Sequence, residues 1–148
     1  MDAGTTRTPT NQAAGTGTGT GTGSGTGSGS GSGTGSGTGT GLKVVDTAVD
    51  VVRDIEQAVR NVRGRHADLV DQLQRAAESV VLNLAEGAGR SGKDKNYHYR
   101  VAYASAGEAA TALQLLAAYR LLDASLASSL QERLDQVRAI SWRLIHRG

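Results

Sequence analysis

From residue 42 onward, apolar side chains recur at three- and four-residue intervals in four successive stretches. The first runs from Leu42 to Val62. Val45, Val49, Val52, Ile55, Val59 and Val62 keep this spacing, Ala48 shares their face, and Val44, Val51 and Ala58 widen the stripe. β-Branched residues alone favour a strand, but the period and the length of the stretch predict a helix. Gly64 offers a C-cap. The second stretch, His66 to Glu86, carries Leu69, Val70, Leu73, Ala76, Ala77, Val80, Val81, Leu84 and Ala85 on one face. Gly87-Ala88-Gly89 is expected to stop it, because glycine takes the left-handed cap conformation at little cost.

The third stretch, Lys93 to Leu122, follows the helical period through Val101, Ala102, Ser105, Ala109, Ala112, Leu113, Leu116 and Tyr119. Its many alanines predict a thin helix that neighbours approach closely. Ser91 and Asp94 have the spacing of a capping box, with Asp in place of Glu. Gly107 lowers helix propensity by up to ~1 kcal/mol relative to Ala. The fourth stretch, Ala124 to Arg147, has Leu126, Leu130, Leu134, Val137, Ser141 and Leu144 as its seam, with Asp123 or Ser125 as N-cap. Arg143, His146 and Arg147 suit the negative end of its dipole.

Long amphipathic helices joined by short connections are antiparallel neighbours. The pattern therefore predicts an all-α fold, an antiparallel up-down-up-down four-helix bundle over residues 42–148. The apolar residues of the first helix exceed one seam, notably at Val44 and Val51, and Trp142 lies off the stripe of the fourth. These positions fit either ordinary core or burial against another subunit, and a homo-oligomer is expected.

Residues 1–41 differ in kind. From Gly15 to Gly41, Gly alternates with Thr or Ser, which supplies no side chain for a core. Strand interiors disfavour so much glycine. This segment is expected to be a disordered low-complexity tail.

Composition removes several classes of function. There is no Cys among the 148 residues, which excludes disulfides, thiolate metal sites and a cysteine nucleophile. Net charge is +2, with both signs mixed along the chain, a weaker bias than a dedicated nucleic-acid binder carries. No apolar run reaches the ~20 residues of a membrane span, and no leader pattern opens the chain. The expected setting is cytoplasmic, with no membrane partner.

The centre of the chain is the most distinctive part. It reads Arg75-Ala76-Ala77-Glu78-Ser79-Val80-Val81-Leu82-Asn83-Leu84-Ala85-Glu86-Gly87-Ala88-Gly89-Arg90, then, after the turn, Ala102-Tyr103-Ala104-Ser105-Ala106-Gly107-Glu108. This resembles the four-helix bundle proteins first known from intervening sequences in bacterial 23S rRNA genes. Their hallmark is an Asn-Ile-Ala-Glu-Gly turn followed by Ala-x-Gly-Ser-x-x-Glu. Here Leu84 replaces the Ile and Ala104 the Gly. Gly92-Lys93-Asp94 through His98-Tyr99-Arg100 also fits a branch of that family. The resemblance covers Leu42 to Arg147. It implies a bundle that assembles into a ring, typically a pentamer, without an assigned enzymatic activity. A related group serves as accessory protein of diversity-generating retroelements, engaging a reverse transcriptase and RNA, and no motif places this chain there.

Two constellations are candidates for function. Ser79, Asn83, Glu86 and Arg90 are spaced by four, three and four, and Ser105 and Glu108 lie one turn apart on the next helix. They form either a binding site or a structural network fixing the pairing of helices two and three. The structural role is the simpler, because buried polar groups need partners and specify register. Arg90, Lys93, Lys95 and Arg100 are the densest basic cluster, interleaved with Tyr97 and Tyr99. This is the candidate nucleic-acid contact, where cations meet phosphate and tyrosine stacks on bases. The alternative is a solvated helix start whose long stems cover apolar surface.

Catalytic and metal signatures fail. A di-metal carboxylate bundle needs Glu-x-x-His pairs, and no Glu is followed three positions later by His. Gly87-Ala88-Gly89 follows a helix, where a phosphate-binding glycine motif requires a strand. No cofactor, metal or small-molecule substrate is expected. The expected function is a non-enzymatic oligomeric scaffold that binds RNA or a reverse-transcriptase-type protein. The alternative is a structural or selfish-element product with no nucleic-acid role.

Overall fold

A computed structural model describes residues 38–147 apart from Arg63 and Arg65, with side chains from Lys43 onward. Four helices make up the described chain: α1 (Thr38–Val59), α2 (Ala67–Ala88), α3 (Gly92–Ala118) and α4 (Ala124–His146). No strand occurs among the described residues. The all-α expectation holds. The disordered-tail expectation for residues 1–37 lies outside the described residues. Thr38–Gly41, assigned by composition to that tail, are instead the first turn of α1.

Each helix packs on its chain neighbours, and α4 closes back on α1. Partner numbers fall as chain numbers rise. Gln74 of α2 bonds Glu56, and Val81 lies beside Val49. Asn83 meets His98 while Ser79 meets Ser105. Gln131 reaches Ala110 while Arg138 reaches Tyr103. Each helix thus runs antiparallel to the one before it.

The α1 valines sort in an unexpected way. Val44, Ala48, Val51, Ile55, Val59 and Val62 are buried, whereas Val45 and Val52 are half-buried and Val49 is 42% exposed. Val44 and Val51, read from the sequence as surplus, are core. Val45, Val49 and Val52, read as the main stripe, form its outer edge. Successive residues are about 100° apart around a helix, so two adjacent valine stripes compete for one core. Packing, which sequence periodicity does not contain, chooses between them. Burial of these side chains, roughly 1.5–3 kcal/mol each when complete, outweighs the weak helix propensity of valine.

Helix ends also depart from expectation. The helix of α2 continues through Gly87 and Ala88, and Gly89 closes it with right-handed angles. The Ser91 side chain makes no capping bond, so the Ser91–Asp94 box does not form. Gly64 adopts φ +88° within the connector and not at the end of α1. At the end of α3, Arg120 takes the left-handed conformation at φ 57°. Its amide bonds the Ala117 carbonyl and that of Leu121 bonds Leu116, a Schellman motif that ends the helix four residues early. Asp123 caps α4 by accepting from the amides of Ser125 and Leu126, both at 3.0 Å.

Candidate functional site

Of the helix pairs in the bundle, α2 and α3 share the most extensive contact. On α3, Ala102, Ala106 and Ala109 are fully buried, and their short side chains let the backbones approach. Gly87 takes this further. A Cβ at Gly87 would lie 2.6 Å from Cε1 and 2.7 Å from Cδ1 of Tyr99. Gly87, one residue before the helix ends at Ala88, is therefore a seat for the Tyr99 ring.

Beside this lock runs a polar chain. Asn83 Nδ2 donates to the Ser79 carbonyl at 2.9 Å and contacts Ser79 Oγ at 3.3 Å. Ser79 Oγ and Ser105 Oγ are 2.9 Å apart. Asn83 Oδ1 accepts from His98 Nδ1 at 3.0 Å. Because that oxygen only accepts, His98 carries its proton on Nδ1. The Tyr97 ring meets the His98 ring edge-on, with centroids 5.4 Å apart. The connected series Tyr97–His98–Asn83–Ser79–Ser105 thus runs from the surface to the buried seam.

Ser79, Asn83 and Ser105 come together, then, but Glu86 and Glu108 do not join them. Glu86 faces outward and pairs with Arg90, whose Nε donates to Oε1 at 2.8 Å. Hydrogen bonding from Arg90, then its charge, holds the Glu86 carboxyl below its ordinary range, and the same contacts raise Arg90. Glu108 is exposed and outside the network. Spacing placed Ser79, Asn83, Glu86 and Arg90 on one stripe, but at the end of α2 the Glu86 carboxylate pairs with Arg90 and makes no bond to α3. His98 was missed as a member because its partner lies across the turn, where no periodicity connects them.

The basic cluster divides. Lys93, Tyr97 and Arg100 stand at i, i+4 and i+7 and are all exposed, Tyr97 by 62%. Among the described residues, neither Lys93 nor Arg100 has a carboxylate partner. Arg90, beside them, is engaged by Glu86. Tyr99 is only 2% exposed, and this burial raises its phenol above the ordinary pKa. Its candidacy as a base-stacking residue is corrected by that burial: its ring is core. Lys95 Nζ sits 5.9 Å above the Tyr99 ring, so its stem covers the aromatic. What remains outward is a short stripe of two cations around one tyrosine, whose ring meets His98 edge-on.

Among the described residues, no three acidic or histidine side chains converge in a way that could hold a metal. No helix there is long and apolar enough to cross a membrane. A family model described as 23S rRNA-intervening sequence protein matches residues 40–142. No curated protein matches the chain.

Proposed function

Because the chain belongs to the 23S rRNA-intervening sequence protein family, we propose that it is a non-enzymatic, homo-oligomeric helical scaffold in the cytoplasm that binds structured RNA. The observation that carries this reading is the outward Lys93–Tyr97–Arg100 stripe on α3, where the Tyr97 ring meets His98. Two cations at this spacing follow a phosphate backbone, and an exposed tyrosine between them offers a stacking face. One copy presents too little charge for tight binding. A ring, five subunits as the family resemblance implies, repeats the stripe and raises affinity through multivalency.

Salt-titrated binding of a structured RNA tests this. Wild type is expected to bind more weakly as salt rises, and Lys93→Ala with Arg100→Ala to weaken binding and flatten the salt slope by roughly one per lost phosphate contact. Absence of affinity at low salt, or a slope unchanged in the double variant, refutes the RNA role. A protein that processes nucleic acid is the other candidate partner for the same face.

A second reading has its own support. Arg90, Lys95 and Tyr99 are committed within the bundle. A scaffold serving only as a structural or selfish-element product, with no nucleic-acid role, accounts for a cluster so largely turned to internal use. It predicts RNA affinity no greater than that of an unrelated protein of equal charge.

A further inference from the structure

Two apolar features lie on opposite faces of the bundle, and neither belongs to the α2–α3 site. Between α1 and α2 runs a groove of about 250 Å³ lined by Val49, Val52, Val81, Leu82 and Glu78. Leu82 is 68% exposed at its edge. On the α3–α4 side, Trp142 stands 54% exposed beside Tyr103, with ring centroids 6.1 Å apart. Since α1 and α3 each pack on α2 and α4, the α1–α2 groove and the α3–α4 face point in opposite directions.

Their shapes and charges are complementary. One side is a hollow of aliphatic side chains, and the other is a projecting indole. Glu78 in the groove has no ion-pair partner among the described residues. Arg143, beside Trp142, likewise has no carboxylate partner there, and its Nε donates only to the Ala139 carbonyl at 3.3 Å. Pairing groove with groove would set hollow against hollow and Glu78 against Glu78. Pairing the tryptophan faces would set knob against knob and Arg143 against its own copy, Arg138 there being already paired with Asp135. Only the unlike pairing joins knob to hollow and cation to anion.

We propose that Trp142 of one copy seats in the Val49–Leu82 groove of a second copy, with Arg143 opposite Glu78. This deepens the scaffold reading and rests on its claim of assembly. The contact is head-to-tail, because each copy offers a knob on one face and a groove on the other. Such heterologous contacts close into rings when the rotation per subunit allows it. Val45, Val49 and Val52, outside the core of one copy, then border the core of the assembly.

The test uses two full-length variants, Leu82→Glu, which blocks the groove, and Trp142→Ala, which removes the knob. Both positions are exposed, and circular dichroism checks that each variant folds. Light scattering at about tens of micromolar, a range where such contacts form, is expected to show wild type assembled and each variant alone monomeric. The equimolar mixture is expected to give a 1:1 dimer that grows no further, since one knob and one groove survive. Trp142 is the only tryptophan of the chain. Its emission is expected to shift to the blue in the mixture and not in the Leu82→Glu variant alone.

Variants that assemble like wild type, or a mixture that stays monomeric, overturn this contact while leaving the assembly reading intact. A Trp142→Ala variant that still dimerises alone points to an isologous interface and overturns it as well. A monomeric wild type removes the assembly reading and this contact together.

Discussion

The α2–α3 seam and the α1–α2 seam bind the same helix by different means. Along α2–α3, alanines bring the backbones close, Gly87 receives Tyr99, and Ser79, Asn83, His98 and Ser105 exchange hydrogen bonds. Every contact there depends on one partner at one height. Along α1–α2, valines meet α2 aliphatics, and the side-chain hydrogen bonds come from the exposed Gln74–Glu56 pair at the rim. Valine surfaces tolerate sliding, whereas a slipped polar network leaves buried groups without partners. The first seam therefore sets the register of the bundle, and the second supplies apolar burial with some surplus left outside.

The largest expected effect tests the lock. Gly87→Ala places a methyl 2.6 Å from the buried Tyr99 ring, so the ring or the helices must move. Overpacking of this kind costs about 1–3 kcal/mol. Denaturant unfolding is expected to show that loss for Gly87→Ala, and to show much less of it in a Tyr99→Leu background. Equal losses in both backgrounds would mean that ring contact is not the cause. Next in size is the polar network. Asn83→Ala leaves His98 Nδ1 without its partner and takes one contact from the Ser79 hydroxyl, which keeps Ser105, for about 1–2 kcal/mol. Gln74→Ala at the exposed rim of the other seam is expected to change stability by less than about 0.5 kcal/mol. If the two variants cost the same, the contrast between the seams collapses.

The sequence carried some of this and not the rest, for physical reasons. Helices were legible because a repeat of three and four has one meaning over twenty residues. Which valine stripe of α1 turns inward was not legible, because both stripes are apolar and the choice depends on the shape of α2 and α4. Ser79, Asn83 and Ser105 stood out as polar residues at helical spacing. The bond from Asn83 to His98 did not, since it crosses a turn. Gly87 was the most misleading position. A glycine near a helix end normally signals termination, and its use as space for a ring shows only once Tyr99 is in place. Of the basic cluster, sequence gave the residues, but burial separated the outward Lys93, Tyr97 and Arg100 from the inward Tyr99.

The remaining expected effect is opposite in sign. Gly107 is also a glycine inside a helix of the same hallmark region, but a Cβ there would meet nothing nearer than Arg138 Nε at 3.9 Å and Cζ at 4.0 Å. Those are ordinary contact distances. Gly107→Ala is therefore expected to stabilise the bundle by about 0.5–1 kcal/mol, the helix-propensity difference, and to raise the thermal midpoint by a few degrees. One local term works against it. Arg138 Nε is buried and has no hydrogen-bond partner among the described residues, while the guanidinium bonds Asp135 and Tyr103 through its other nitrogens. A methyl at Gly107 shields that group further, so the gain should fall short of the full propensity difference. Opposite signs at Gly87 and Gly107 would show that the first glycine is there for the space it leaves and the second is not. A loss at both positions would mean that α3 needs close approach along its whole length, with Arg138 of α4 as confined as Tyr99, and the special status of the α2–α3 seam would be gone.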